Sequence, residues 1–180
     1  MIFGLILTRA IGNEKNLDIK KLPKGVYLGI DPGENGAIAY VAPVLEDGWS
    51  VDYFKTEGVQ GYKELVNINS LVKGAFVKKV FMERERVSPL MGPAAATTFM
   101  TGYGFGLGVL HCMGIEPVLY DPQVWQRILK LNSFDANGDK KLKKKHYETQ
   151  IRALWGDNVA AVPTFAIDAY GILLAGLISL

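Results

Sequence analysis

Residues 26–33 read VYLGIDPG, in which five apolar or small residues lead into one acid, Asp31, before Pro32 and Gly33 end the run. This pattern predicts a buried strand that ends in a tight turn, with the Asp31 carboxylate held at the strand's end. Residues 36–41 predict a second strand, and the Asn35-Gly36 pair between them favours a hairpin because it supplies a positive φ. Asp31 is then either a turn cap or a ligand for a divalent cation or phosphate.

Hydrophobic periodicity predicts the other elements of the chain. Further strands are expected over residues 49–56, 77–83 and 116–120, and the first three strands form an antiparallel meander. Helices are expected over residues 61–72, 94–113 and 166–180. Another helix is expected to begin at Pro122, with Asp121 as its N-cap, and a fifth to follow the lysine run at 140–145. A meander followed by alternating units predicts an α/β fold, with a mixed five-stranded sheet and helices on both faces.

Length and composition are those of one globular domain of 180 residues, 49% hydrophobic and 21% charged. We assign residues 25–180 to this domain and residues 1–24 to an N-terminal extension that packs on it or supports a dimer. No apolar run reaches the roughly 18 residues of a membrane span, so no membrane partner is expected.

The single cysteine, Cys112, leaves no internal disulfide within the sequence. This favours a reducing compartment: the cytoplasm, that of the host for a viral protein, or an organelle. The apolar neighbours of Cys112 predict that it is a small buried residue rather than a nucleophile.

Three acids end or begin apolar runs. Asp31 and Glu83 end predicted core strands, and Asp168 lies in the first turn of the last predicted helix. An acid at the edge of a core carries a desolvation cost unless it is paired, although Asp168 alone is explained by the helix dipole. Three such acids on separate elements point to a Mg²⁺ site, because Mg²⁺ prefers hard oxygen ligands. Two such ions about 4 Å apart can activate water and stabilise the leaving oxygen of a phosphodiester.

The order of these elements and acids resembles the RNase H-like superfamily. Within it, residues 29–33 and the Met82-Glu83 pair look like the first two motifs of the RuvC-type Holliday junction resolvases, and residues 166–175 resemble their final Asp-Ala helix. The stretches at 102–107, 117–118 and 125–127 are similar to the phage and organellar branch of these enzymes.

The resemblance implies a homodimer that cuts four-way DNA junctions symmetrically with Mg²⁺ or Mn²⁺, in DNA recombination and repair. Asp31, Glu83 and Asp168 would be its catalytic, metal-binding residues. The family usually has a fourth acid about one helical turn before the last, where this chain has Thr164 and Phe165. Asp157, Glu85 or a water are candidate substitutes; otherwise one metal position is weak or activity is lost. The alternatives are an RNA–DNA hybrid nuclease and a non-catalytic junction-binding protein.

Basic residues give the candidate DNA contacts. Five of the six residues at 140–145 are lysines, which predicts a phosphate-contacting patch, although a solvated helix end carries such residues too. Arg84 and Arg86 follow the Glu83 strand and would contact the scissile strand or pair with Glu85. Phe99, Tyr103 and Phe105 either stack on splayed bases or pack at a dimer interface. The full candidate DNA-binding set is Arg84, Arg86, Arg127, Lys140, Lys141, Lys143, Lys144 and Lys145.

Overall fold

The computed structural model describes residues 22–33, 35–44, 48–56, 62–63, 65–66, 76–131, 139–159 and 161–180. Its strands are β1 (Val26–Asp31), β2 (Ala37–Val44), β3 (Gly48–Lys55), β4 (Val77–Glu83) and β5 (Val118–Tyr120). They form one sheet in the order β3-β2-β1-β4-β5. The first three strands pair antiparallel, whereas β4 pairs parallel with both β1 and β5. The predicted mixed five-stranded sheet is confirmed.

Four helices with described bounds accompany the sheet, besides the helical residues 62–63 and 65–66. They are α1 (Pro93–Cys112), α2 (Pro122–Ile128), α3 (Lys140–Trp155) and α4 (Ile167–Ile178), with short 3-10 turns at Gly156–Val159 and Thr164–Ala166. The lysine run forms the first turns of α3 rather than preceding it, because the Asp139 carboxylate caps the helix by accepting from the Lys141 and Leu142 amides.

One face of the sheet is covered by α4, which is buried almost throughout. It lies directly on β1, because a Cβ added at Gly29 would overlap the Ala169 carbonyl oxygen and lie 2.5 Å from the Leu173 Cβ. Trp125 of α2 and Trp155 of α3 complete this core. The absence of a side chain at Gly29 therefore sets how closely α4 approaches the sheet.

The opposite face of the sheet is covered by α1 and by the helical residue Tyr62. Leu28, Ile30 and Met82 pack there against Tyr62, Tyr103 and Leu110. A Cβ at Gly106 would lie 2.5 Å from the Tyr62 ring, so this glycine allows a close contact. Helices on both faces of the sheet are thus confirmed.

Two sequence expectations were wrong in detail. The hairpin exists, but Gly36 does not have a left-handed φ; a Cβ there would instead overlap the Asp31 carbonyl oxygen. Cys112 is exposed rather than buried. The buried positions of α1 are Tyr103, Gly106 and Leu110, and Cys112 lies off this stripe.

Several predictions concern residues that lie wholly or partly outside the described ranges. The extension over 1–24 is described only from Leu22, and the helix over 61–72 only at four residues, all helical. Across the described chain, no helix combines the length and apolar character needed to cross a membrane.

Candidate active site

Asp31 and Glu83 leave the sheet at the same edge. The parallel pairing of β1 and β4 places Ile30 beside Met82, so the next residue of each strand is an acid. Gly29 and Phe81 both contact α4. Because side chains two residues apart share a face, Asp31 and Glu83 also face α4. The fold thus presents two carboxylates side by side where the two strands end.

Asp168 reaches this edge from the first turn of α4. Its neighbour Ala169 has its carbonyl oxygen over Gly29, two residues before Asp31 on β1. Asp31 and Glu83 both interact electrostatically with Asp168. The structure therefore brings together the three acids that the sequence singled out, from two strands and one helix.

A fourth acid, Glu85, joins the three. It follows β4 by two residues, is half-buried, and interacts electrostatically with Asp31 and Glu83. Of the two acids that were candidates for a fourth carboxylate, Glu85 is found at the cluster; the side chain of Asp157 lies outside the described part. We define the carboxylate cluster as Asp31, Glu83, Glu85 and Asp168.

Burial and mutual repulsion raise the pKa values of the carboxylate cluster. Burial and then the charge of Asp168 raise the pKa of Asp31 to about 6. The pKa of Glu83 rises to about 8, chiefly through burial, and is also raised by the charges of the other three acids. Burial and then Asp31 raise the pKa of Glu85 to about 7, and burial raises that of Asp168. The cluster holds more negative charge than its surroundings compensate.

Three members of the cluster have local partners. The Trp125 Nε1–H donates to Glu83 Oε2 at 2.6 Å, and the Gly33 amide donates to Asp31 Oδ1 at 3.2 Å. Lys144 Nζ lies 3.7 Å from Asp168 Oδ2. Each partner lowers the pKa of the acid it contacts. Trp125 was not named as a site residue from the sequence, although it lies in the stretch 125–127 that carries part of the resemblance; the usable signal is that a buried indole N–H needs an acceptor.

The oxygen donors of this cluster suit a hard divalent cation, which would relieve the repulsion between them. Within the described residues, however, no three His, Cys, Asp or Glu side chains are arranged to hold a metal ion. The acids are turned toward Trp125, Lys144 and the Gly33 amide instead. The donor chemistry therefore fits Mg²⁺ or Mn²⁺; Asp31 and Asp168 would have to turn toward a bound ion, whereas Trp125 holds only one of the two carboxylate oxygens of Glu83.

Thr164 and Phe165 lie where the sequence resemblance led us to look for a fourth acid. Both lie in the 3-10 turn before α4, where Phe165 packs edge-on against Tyr53 with ring centroids 5.9 Å apart. The Lys55 ammonium lies 5.8 Å from the Phe165 ring centroid. Neither side chain carries a carboxylate, and Phe165 instead packs against β3.

The sequence left open an ion pair between Arg84 or Arg86 and Glu85. The structure does not form it, because both arginines lie against Asp121. Arg86 Nη2 donates to both Asp121 carboxylate oxygens at 3.0 and 2.9 Å, and Arg84 Nη1 lies 3.8 Å from the same group. Asp121 is the N-cap residue of α2, as predicted, but its side chain makes no capping hydrogen bond. The two arginines thus join the loop after β4 to the start of α2.

The remaining candidate DNA contacts differ in exposure. Arg127, Lys141, Lys143 and Lys145 are exposed, whereas the side chain of Lys140 is outside the described set. Tyr103 is 8% exposed and packs in the core, so it is not available to stack on bases. Phe105 is 42% exposed and its ring contacts that of Tyr62.

No protein-family model matches the chain, and no curated protein matches it either. Solved structures do match. RuvC of Thermus thermophilus in complex with a Holliday junction substrate is 17% identical with a TM-score of 0.54, over 86% of this chain and 93% of that one. Another Thermus thermophilus RuvC structure is 19% identical with a TM-score of 0.53, over 85% and 93%. The chain has the RuvC-like α/β fold of the RNase H-like type.

Proposed function

We propose that this chain is a metal-dependent, structure-specific endodeoxyribonuclease that resolves four-way DNA junctions. The observation that carries this function is the convergence of Asp31, Glu83 and Asp168 at one edge of a RuvC-like sheet. The neighbouring RuvC structure contains a Holliday junction substrate, which supports junction DNA as the partner. Membership of the phage and organellar branch is part of the same proposal.

The carboxylate cluster would hold Mg²⁺ or Mn²⁺ through Asp31, Glu83 and Asp168, with Glu85 as an accessory. A bound divalent cation supplies Lewis-acid stabilisation of the charge that develops on a phosphodiester. Glu85, half-buried beside Asp31 and Glu83, would complete the set of oxygen donors around the cation. Trp125 fixes the orientation of Glu83 through its Nε1–H. Attack of water on the phosphorus with departure of the 3′ oxygen would leave a 5′-phosphate on one product strand and a 3′-hydroxyl on the other.

The lysines of α3 would hold the DNA backbone next to the cluster. Lys141, Lys143 and Lys145 are exposed on the helix that also contributes Lys144 to Asp168. Arg127, exposed on α2, would be a further phosphate contact. Contacts of this kind bind phosphates without reading sequence, so junction binding is expected to weaken steeply as salt rises.

A homodimer would supply the two active sites that symmetric incision needs. Exposed apolar side chains on α1 and the preceding loop support this state: Leu90 is 96% exposed, Phe105 42% and Met100 37%. These side chains would be available for burial in such an interface. A reducing compartment, the cytoplasm or an organelle, is part of the same proposal, because the sequence has a single cysteine and so no internal disulfide.

Asp31→Asn tests the function on a labelled four-way junction with and without Mg²⁺. We expect wild type to cut only with the cation, and the variant to lose cutting by about a thousandfold or more while binding the junction normally. Asp52→Asn, an exposed acid on β3, is the matched control and should cut like wild type. Loss of junction binding in Asp31→Asn would argue against a catalytic role for Asp31.

A non-catalytic junction-binding protein is the second candidate. It is favoured by the Asp168–Lys144 ion pair and by the packing role of Phe165 at the fourth-acid position. Junction binding without cutting across Mg²⁺ and Mn²⁺ titrations would establish it. A panel of four-way, duplex, flap and RNA–DNA hybrid substrates would separate both from a hybrid nuclease.

A further inference from the structure

The hydroxyl of Tyr62 is buried without a hydrogen-bond partner. The residue is 0% exposed and lies on the face of the sheet that α1 covers. Among the described residues, its oxygen is the one buried side-chain polar atom that neither donates nor accepts a hydrogen bond. A buried hydroxyl without a partner destabilises a folded protein, so its presence needs an explanation other than packing.

Packing between α1 and the sheet fixes the position of this hydroxyl. A Cβ added at Gly106 would lie 2.6 Å from the Tyr62 oxygen, so the side chain fits directly against the backbone of α1. The Tyr62 ring also packs edge-on against that of Phe105, with ring centroids 6.1 Å apart. It shares a packed cluster with Ile30 and Met82, the last apolar residues before the acids of β1 and β4.

The hydroxyl of Tyr62 interacts with the carboxylate cluster. Burial, followed by the nearby Asp31, Glu85 and Tyr103, raises the pKa of Tyr62. The hydroxyl therefore keeps its proton and remains a hydrogen-bond donor. Glu85 is held on the same side of the sheet, because its backbone approaches the hydroxyl of Tyr103 on α1.

Glu85 is the member of the carboxylate cluster whose side chain no donor holds. Trp125, the Gly33 amide and Lys144 each contact one of the other three acids. Within the described residues, the Glu85 carboxylate receives no contact of this kind. A buried donor without an acceptor and a half-buried acceptor without a donor thus lie near each other. A hydrogen bond from Tyr62 to Glu85 would satisfy both groups.

We propose that Tyr62 is a positioning residue for Glu85, and that its hydroxyl donates to the Glu85 carboxylate when this group turns toward a divalent cation in the cluster. Asp31 is the other acid near Tyr62, but it faces α4 and already accepts from the Gly33 amide. The hydroxyl is unpaired in the metal-free protein and paired in the metal-bound one, so cation binding removes the cost of burying it. This inference rests on the proposed metal-dependent function.

Tyr62→Phe tests the inference, because it removes the hydroxyl and keeps the ring that packs on Gly106. Without metal, we expect the variant to unfold at the same urea concentration as wild type or at a higher one, since no hydrogen bond is lost. Its Mn²⁺ affinity, measured by titration calorimetry on the full chain without DNA, should fall about tenfold, as when a group that orients a metal ligand is removed. Tyr40→Phe is the matched control: its hydroxyl interacts with Asp52, so the variant should bind Mn²⁺ like wild type.

A double-mutant cycle with Glu85→Ala identifies the acceptor of the Tyr62 hydroxyl. Glu85→Ala should itself weaken Mn²⁺ binding, because it removes an oxygen donor. In the Glu85→Ala chain, Tyr62→Phe should cause no further loss of Mn²⁺ affinity, because the acceptor is already gone. An equal loss in both backgrounds would mean that the hydroxyl acts on another group, Asp31 included, and would overturn the assignment to Glu85.

Two further outcomes would overturn the role of Tyr62. One is a lower metal-free stability of Tyr62→Phe, which would show that the hydroxyl already has a partner; the other is wild-type Mn²⁺ affinity in this variant. A wild-type chain that binds no Mn²⁺ would defeat this role together with the metal dependence of the proposed function. A wild-type chain that binds Mn²⁺ but cuts no four-way junction would defeat the nuclease function alone, and the Mn²⁺ titrations would still decide the role of Tyr62.

Discussion

A single side chain, Trp125, links the hydrophobic core to the chemistry of the cluster. Its indole ring is 2% exposed, and its Nε1–H donates to Glu83 Oε2 at 2.6 Å. On the opposite side of the ring, Gly171 leaves the space that the indole occupies, since a Cβ there would lie 2.8 Å from Cζ3. Packing thus fixes the position of the indole N–H, and the hydrogen bond from this N–H orients the Glu83 carboxylate.

Trp125→Phe should remove this donor while leaving most of the packing in place. We expect the pKa of Glu83 to rise further, because the hydrogen bond to Trp125 lowers it at present. The free energy of unfolding should fall by about 1.5–3 kcal/mol above pH 8, where Glu83 is ionised, and by less at pH 5. Urea denaturation at both pH values measures the difference.

Trp155→Phe is the control for Trp125→Phe, because it removes a similar volume from the same core. Its Nε1–H donates at 3.1 Å to the Tyr170 carbonyl oxygen, which does not titrate. Its cost should therefore be the same at pH 5 and above pH 8. An equal pH dependence in the two variants would contradict the role given to Trp125.

At the scale of elements, the site depends on how closely α4 lies on β1. Asp31 and Glu83 are fixed by the register of two parallel strands, whereas Asp168 is fixed by the docking of α4. Gly29 determines that docking, because a Cβ there would overlap the Ala169 carbonyl oxygen. A single helix–strand contact therefore sets the distance between the acids of the sheet and the acid of α4.

Gly29→Ala should displace α4 and with it Asp168. Overpacking of this kind typically costs about 1–3 kcal/mol, and we also expect Mn²⁺ affinity to fall at least tenfold. Urea denaturation and Mn²⁺ titration measure the two effects. Gly102→Ala is the control: a Cβ there meets nothing within 4 Å, so the change should raise helix stability by up to about 1 kcal/mol. Wild-type Mn²⁺ affinity in Gly29→Ala would contradict this account.

At the scale of the whole molecule, the sequence was sufficient to predict the sheet and to single out the three acids, but not to predict the contacts between them. Asp31 and Glu83 were visible because each directly follows an apolar run, which marks the end of a buried strand. Glu85 and Lys144 were harder to place, because an acid in a loop and one lysine among five have no local signature. Their roles depend on which elements pack together, and hydrophobic periodicity does not specify that.

The charge that the fold gathers at one edge should also govern the stability of the whole molecule. The pKa values of Asp31, Glu85 and Glu83 rise to about 6, 7 and 8, whereas in the unfolded chain these acids titrate near pH 4. Between about pH 4 and pH 8, these acids therefore bind more protons in the folded chain than in the unfolded chain. The contribution of the cluster to stability is therefore fully present below about pH 4 and is lost as pH rises toward 8.

Urea denaturation of wild type and Asp31→Asn across pH 4–9 isolates this contribution from the other titrating groups. The variant removes one charge from the cluster, so it should be more stable than metal-free wild type at pH 8 and should lose that advantage toward pH 4. Saturating Mg²⁺ should stabilise wild type at pH 8 and have little effect at pH 5, because protonated acids do not ligate the cation. Wild type that is more stable than Asp31→Asn at pH 8 without metal would show that the carboxylates do not repel one another. The cluster would then have no electrostatic reason to bind a cation.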